Sequence, residues 1–386
     1  MMLFVAPYNG EKSGVTRFHG ASRKIRLLLE ILSGICQRVV LLNTLPIQTP
    51  QRRIAYSKLD LGGGILIDVV TPGASNPGRV GYLINLARVS AISNSIISSF
   101  GVPDTVWCYN GYAMESRIGG FLKSHFGSRF ILEFEDWHFA RNRGFNPKPF
   151  IDWFFSMCNM RNVDYGFAVN QMLKHEFDRR LINSELLPGV LEDWVIGLAA
   201  THPPFQDSRR LTIGYFGGLE VDKGAGFLLQ LMEEIKKSKF PLRFIVTGSG
   251  SLERKFSAYT QAFPDIVDYR GSVADLELKE LMGITDVIIN PHCVNKGVFP
   301  FKVLEGVASG RLLVSTPLGV GKGELGWLNS AVAICPQDVN SFITMLMNAR
   351  EIYASRRPAI EEAVALAARL WSKESLRHRI ARAIRA

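Results

Sequence analysis

The chain has 386 residues, 47% of them hydrophobic, which is enough for two domains with full cores and too apolar for a disordered protein. Lys and Arg number 45 against 35 Asp and Glu, a formal charge of +10 that favours a polyanionic partner, whether nucleic acid, anionic lipid or a phosphate-bearing substrate. The five cysteines, Cys36, Cys108, Cys158, Cys293 and Cys335, are far apart with no CxxC, so zinc-finger and disulfide frameworks are excluded and a reducing cytoplasm is expected.

The chain opens on "MMLFVAPYNG", too short and too uncharged for a signal peptide. Its strand Leu3–Ala6 leads into a glycine loop, "PYNGEKSGVTR", then a helix pattern, "SRKIRLLLEILSGI", and a strand, "RVVLLNT". This β-loop-α-β grammar marks a parallel sheet covered by helices. "GGILIDVV", "TVWCYN" and "RFILEFED" add strands, and "VDYGFAVN" reads as the last strand of this half. The stretch "PKPFIDWFFSMCNM" is strongly aromatic; its helical spacing suits a core face, with a membrane-facing patch as the sharper alternative. No apolar run reaches the ~18 residues of a spanning helix.

"AATHPPFQDSRRL" reads as a linker, after which the grammar restarts. "LTIGYFGGL" is a strand entering a glycine turn, and "GAGFLLQLMEEIKKS" an amphipathic helix. "LRFIVTGSG", "VDYRGSV", "DVIINP", "RLLVST" and "AVAICP" are further strands. The expected fold is therefore α/β, two Rossmann-like doubly wound domains facing across a cleft, with ligands at the carboxyl ends of the strands. The expected division is 1–195, 196–370, and a final helix at 371–386. In that helix Leu376, Ile380 and Ile384 form one apolar stripe with Arg on the other faces, which suits packing back on the N-terminal domain.

Four stretches bear on chemistry. In "GVFPFKVLEGVASGRLLVST", Pro300 suits a helix start and Gly310 its end. Val303, Leu304, Val307 and Ala308 would be buried, with Lys302, Glu305 and Ser309 opposite them. The N–H groups of that first turn, beside Lys302, make an anion site, and Glu305 suits vicinal sugar hydroxyls. Alternatively, Glu305 simply favours a helix N-terminus. In "YFGGLEVDKGAGFLLQLM", Gly217 and Gly218 permit close approach to the backbone, and Lys223 either bonds a diphosphate or is a solvated turn residue. "VTGSGSLERKF", with Gly248, is an incomplete phosphate-loop pattern. Finally, "LEFEDWHFARNRGF" puts Glu135, Asp136 and His138 at a strand's carboxyl end, where they suit orienting an acceptor hydroxyl or a donor sugar, or form a merely exposed polar loop. No Asp-x-Asp pattern stands at a strand end, so no metal cofactor is expected. The basic residues are not interleaved with aromatics, so nucleic acid is not expected as a partner.

Read in order, "GYFGGLEVDKGAGFLLQLM", "RFIVTGSGSLE", "VDYRGSVADLELKELMGITDVIINP" and "FPFKVLEGVASGRLLVST" resemble the donor-binding domain of retaining glycosyltransferases of the B fold, family four. "LLPGVLEDWV" resembles the segment before the interdomain crossover; the first half is similar in general plan only. The resemblance implies that Lys223 contacts the donor diphosphate and Glu305 the nucleotide ribose. It also implies phosphate contacts from the backbone of Phe301, Lys302, Val303 and Leu304, a place along the base for Gly271 to Val273, and Gly14 near the diphosphate. Two positions depart from the family pattern: Gly297 replaces a second glutamate, and Gly218 replaces a diphosphate arginine. The "FPFK" form is similar to a branch of bacterial polysaccharide enzymes. The resemblance thus implies transfer of a sugar from a nucleotide-diphosphate sugar to a glycan or lipid-linked acceptor, in the cytoplasm and peripherally on the inner membrane face. A sugar-nucleotide epimerase of the same fold, or a catalytically silent sugar-nucleotide-binding protein, remain the alternatives.

Overall fold

The computed structural model describes residues 1–9, 20–46, 50–76, 78–139, 147–206, 210–238, 240–292, 299–318 and 324–385. Gly14, Cys293 and Gly297 lie outside these described residues. The chain forms two compact units, the first built mainly from Ala21–Pro188 with the opening strand and the residues from Leu376 onward, the second from Gly189–Ser375.

The first unit runs β1 (Met2–Ala6), α1 (Gly20–Ser33), β2 (Val39–Asn43), β3 (Ala55–Asp60), β4 (Leu66–Thr71), α2 (Gly78–Ala87), α3 (Val89–Phe100), β5 (Thr105–Tyr109), α4 (Ala113–Phe126), β6 (Arg129–Phe134), α5 (Lys148–Met160), β7 (Tyr165–Ala168), α6 (Gln171–Asp178) and β8 (Ser184–Leu186). Its sheet has the order β3-β4-β2-β1-β5-β6-β7-β8, parallel except for β3 against β4. The central strands are continuous apolar runs because helices cover both faces. Trp107 of β5, fully buried, stacks between Phe4 and Phe167. "VDYGFAVN" is not the last strand: β8 follows it and pairs with β7.

The second unit runs α7 (Asp193–Thr201), β9 (Leu211–Phe216), α8 (Ala225–Ser238), β10 (Leu242–Thr247), α9 (Glu253–Ala262), β11 (Val267–Tyr269), α10 (Asp275–Gly283), β12 (Val287–Asn290), α11 (Phe301–Ala308), β13 (Leu312–Ser315), α12 (Leu328–Ala331), β14 (Ala333–Ile334), α13 (Val339–Met347) and α14 (Ala349–Trp371). Its parallel sheet has the order β11-β10-β9-β12-β13-β14. Strand order reverses between β9 and β12, which is where an open α/β sheet leaves a crevice for a ligand.

The units divide at Pro188–Gly189, not after residue 195, and the second ends at Ser375, not 370. The expected linker is largely committed structure: Ala199–Thr201 close α7, and Phe205 packs on Tyr353 while its carbonyl accepts from Arg350 at 2.9 Å. The final helix, α15 (Lys373–Arg385), is held in the first unit by Arg379. Its Nε donates to Glu185 at 2.6 Å and its second guanidinium nitrogen to the Leu186 carbonyl at 3.0 Å. Arg382 also pairs with Glu185, at 3.0 Å.

The aromatic stretch defies the core expectation. On α5 the buried residues are Asp152, Ser156 and Met160, while Phe150 and Phe154 are 58% and 49% exposed. Asp152 faces inward because it has two partners there: it accepts from the Ala113 N–H that opens α4, at 2.9 Å, and pairs with Lys148 one turn back. Among the described residues no single helix is long and apolar enough to cross a membrane.

Candidate active site

In the second unit the crevice between β9 and β12 gathers two lysines around a glycine turn. Gly217 and Gly218 follow β9. A Cβ on Gly217 would lie 3.6 Å from Lys302 Cδ and 3.9 Å from its Nζ, and one on Gly218 would lie 4.0 Å from Lys223 Cγ. Neither position is blocked by backbone, so a ligand can reach the turn. Lys302 Nζ stands 4.0 Å above the ring of the buried Tyr215, a cation–π contact. The Tyr215 hydroxyl donates to the Gly218 carbonyl at 2.8 Å, fixing the turn from below. Lys223 Nζ is 3.3 Å from Nε2 of His292, a residue 2% exposed just beyond β12. His292 was missed in the sequence; its place directly after "DVIINP", at a strand's carboxyl end, was the available signal.

The glycines here are structural requirements. Gly248 has φ +121°, and a Cβ on it would meet the Gly217 carbonyl at 2.0 Å. Gly224, in the left-handed region at φ +83°, would put a Cβ 1.9 Å from the Pro291 carbonyl. The ends of β9, β10 and β12 therefore approach one another backbone to backbone. Gly248 N–H donates to the Gly271 carbonyl at 2.6 Å, and Tyr269 donates to the Gly248 carbonyl at 2.9 Å. Val273, two residues beyond Gly271, is half-buried.

α11 carries the stretch "FKVLEGVA". Pro300 is its N-cap and accepts from the Val303 N–H at 2.9 Å, so that N–H is already committed. Val303, Leu304, Val307 and Ala308 are buried as expected, and Lys302 and Glu305 are half-buried on the other side. Ser309 is not with them: it is fully buried and its hydroxyl donates to the Gly306 carbonyl at 2.7 Å, because it sits at the turn into β13. Phe301 packs its ring where Gly189 has no side chain; a Cβ there would meet it at 2.3 Å. The far end of the helix is pinned by Arg311, 1% exposed, donating to the carbonyls of Gly283, Thr285 and Ser309 at 2.9, 3.1 and 2.8 Å.

In the first unit, Glu135, Asp136 and His138 emerge after β6 as predicted, but their roles separate. Glu135 pairs with Lys24, which also pairs with Glu133 at 2.9 Å and donates to the Leu187 carbonyl at 2.6 Å. Tyr109 donates to Glu135 at 3.2 Å, and Trp107 Nε1 to Glu133 at 2.9 Å. Burial pushes the Glu135 carboxyl above the usual range, with Lys24 opposing and Glu133 reinforcing that shift. Burial alone would lower Lys24; the two carboxylates outweigh it and raise it. Glu135 is thus part of a buried charge cluster.

Asp136 and His138 lie beyond that cluster, beside Asn110. Asn110 adopts φ +62° after β5, and its Oδ1 accepts from the N–H groups of Gly111, Glu135 and Asp136 at 2.9, 3.3 and 3.4 Å. A Cβ on Gly111 would lie 2.6 Å from Ser156 Oγ and 3.4 Å from His138 Cε1, so these side chains converge on Gly111. Ser156 Oγ, Asn110 Nδ2 and both His138 ring nitrogens are buried with no hydrogen-bond partner among the described residues. Burial holds His138 down to about 4, so its imidazole is neutral at pH 7. Asn110 and Ser156 carried no sequence signal; each stands among apolar neighbours.

Among the described residues, no group of three or more His, Cys, Asp or Glu could hold a metal ion. Two parallel α/β units, the second with a glycine turn flanked by lysines at its switch point, form the architecture of the glycosyltransferase B fold. That fold is shared with sucrose-phosphate synthase from Thermosynechococcus elongatus, at TM-score 0.74 and 14% identity over 100% of this chain and 98% of that one. It is shared with the E. coli trehalose-6-phosphate structure bound with UDP-2-fluoro glucose, at 0.67 and 14% over 100% and 99%. Anabaena Alr3699/HepE in complex with UDP aligns at 0.67 and 13% over 100% and 99%. Residues 210–349 match the family described as Glycosyl transferases group 1, and the chain as a whole shares the glycosyltransferase B fold of these solved structures. No curated protein matches the chain significantly.

Proposed function

We propose that the protein transfers a sugar, with retention of configuration, from a nucleotide-diphosphate sugar to a glycan or lipid-linked acceptor in bacterial polysaccharide or glycolipid synthesis. The observation that carries this reading is the pair of ammonium groups, Lys223 and Lys302, on either side of the Gly217–Gly218 turn. As the sugar–phosphate bond breaks, negative charge grows on the leaving diphosphate, and two fixed cations stabilise it more in the transition state than in the ground state. Glu305 takes the ribose, and the stretch Gly271 to Val273 lies along the base. Support for a uridine diphosphate donor comes from the UDP-bound relatives, and for retention from a bisubstrate study of trehalose-6-phosphate synthase described as glycosyltransfer with retention.

The acceptor hydroxyl belongs to the first unit, at Asn110 Nδ2, the His138 ring nitrogens and Ser156 Oγ, with Asp136 beside them. A neutral imidazole both donates and accepts, which suits a hydroxyl group better than an anion. Glu135 acts one step back, holding this loop through the Lys24 cluster. The reaction runs in the cytoplasm on an acceptor presented at the inner membrane face, and no divalent ion takes part.

The test has two stages. UDP-glucose and its relatives are screened by thermal shift, since a ligand of the folded state alone raises apparent stability. Release of nucleoside diphosphate is then followed with and without a polyisoprenoid-linked sugar, in excess chelator throughout. Acceptor-dependent release supports transfer. Release or isomerisation of the sugar without acceptor would point to an epimerase, and binding without turnover to a silent binding protein.

A further inference from the structure

We infer that the outer face of α5, with the adjoining surface of α2, is a docking surface for an anionic lipid bilayer. Helices normally bury their aromatics and expose their polar residues; α5 does the reverse. Phe150, Trp153 and Phe154 share its outward face at spacings of three and four, while Asp152 and Ser156 point inward. Phe139, 38% exposed, extends the face: its ring centroid is 6.3 Å from that of Trp153, which is 5.7 Å from that of Phe150. α2 adds Val80 and Leu83, 53% and 51% exposed. The two helices adjoin, since Lys148 of α5 stands 5.6 Å over the Tyr82 ring of α2, and Phe154 lines a groove with Val89 and Ser90 at the start of α3. A contiguous exposed apolar patch of this kind marks an interaction surface.

The charges around it select the partner. Residues 78–100 contain Arg79 and Arg88 and no acidic residue, and both arginines are exposed. Arg161, also exposed, closes the other end of α5. The single acid of α5, Asp152, is 3% exposed and fully engaged with Lys148 and the Ala113 N–H. An apolar face with Trp and Phe, flanked among the described residues by the exposed Arg79, Arg88 and Arg161, matches the interface of an anionic leaflet, where rings sit at headgroup level and arginines meet phosphates. A second copy of the chain would bring arginine against arginine, which opposes self-association. The arginines of α15 are less suited, because Arg379 and Arg382 are occupied by Glu185. The inference deepens the proposed lipid-linked acceptor, and donor binding is read separately so that the two readings fail independently.

The test is co-sedimentation of the full chain with phosphatidylglycerol–phosphatidylethanolamine vesicles and with phosphatidylcholine vesicles, at low and high salt. Binding is expected on the anionic vesicles at low salt and is lost as salt rises. Phe150→Ser with Phe154→Ser should weaken it by about tenfold or more, and Arg88→Gln with Arg161→Gln should weaken it and flatten its salt dependence. Brominated lipid should quench the wild-type fluorescence, and much of that quenching should vanish in Trp153→Phe. Should the double Phe variant fail to fold, the Val80→Ser, Leu83→Ser pair and the Trp153 quenching carry the test. A UDP thermal shift checks the donor unit in every variant. The inference is overturned if the wild type stays in the supernatant with anionic vesicles, if both pairs sediment as wild type, or if light scattering finds a dimer that the Phe pair dissolves.

Discussion

Glu115 is a carboxyl buried to 1% at the start of α4, its Oε1 accepting from Thr44 and its Oε2 with no partner among the described residues. Burial raises it from its ordinary 4.5 to about 7. Between those values the unfolded chain releases a proton that the folded chain keeps, so stability falls as pH rises through the window. The loss is complete above pH 7 and amounts to at most about 3 kcal/mol. Glu115→Gln should match the wild type near pH 4 and exceed it above pH 7, as read by urea titrations at a series of pH values; parallel pH profiles would refute this. At the donor end, Glu305→Ala should weaken nucleotide-sugar binding by ~1.5–3 kcal/mol with little change in melting temperature. Lys223→Ala and Lys302→Ala should each lose more affinity for UDP than for uridine, by calorimetry. Equal losses for both ligands would remove the lysines from the diphosphate. These residues were legible because lysine and glutamate flanked by glycines and strand ends have few structural uses. His292, Asn110 and Ser156 were not, because only the fold brings His292 against Lys223 and leaves Asn110 Nδ2 and Ser156 Oγ buried without a hydrogen bond among the described residues.

At the scale of elements, legibility followed burial. β1, β5, β6, β9, β10, β12 and β13 are apolar runs covered on both faces, and the sequence shows them directly. β3 is an antiparallel edge strand, "AYSKLD", largely exposed, and its polar pattern resembles a loop. β8 has three residues, too few for any period. α5 misled because periodicity reports that two faces differ, not which one faces inward; Asp152 turns inward to cap α4. Two connections lend themselves to measurement. Gly224→Ala forces a side chain into a left-handed turn and against the Pro291 carbonyl, so it should cost ~1–3 kcal/mol or more and lower UDP affinity through the displaced Lys223–His292 contact. A variant with wild-type stability and affinity would show that the turn relaxes freely. Arg379→Ala should cost ~1–3 kcal/mol because its bonds to Glu185 and Leu186 are half-buried, whereas Arg357→Ala, in an exposed pair with Glu361, should leave stability essentially unchanged. Calorimetric scans of both variants compare the two.

At the scale of the molecule, the chain leaves the first unit at Pro188, completes the second, and returns from Leu376 onward. The last helix is integral to the first unit: Leu376 and Ile380 are fully buried, and Arg129 donates to the Ala383 carbonyl at 2.8 Å. Deleting everything after Ser375 should therefore lower the melting temperature of the first unit while leaving the UDP-induced shift of the second in place. Loss of the UDP shift alone would contradict this division. The same return path sets an order in time. On the ribosome, the first unit emerges with the seat of α15 empty, and it stays so while all of Gly189–Ser375 is translated. The first half to be made is thus finished only after the second, and its apolar groove stands open to chaperones or to neighbouring nascent chains until α15 has emerged.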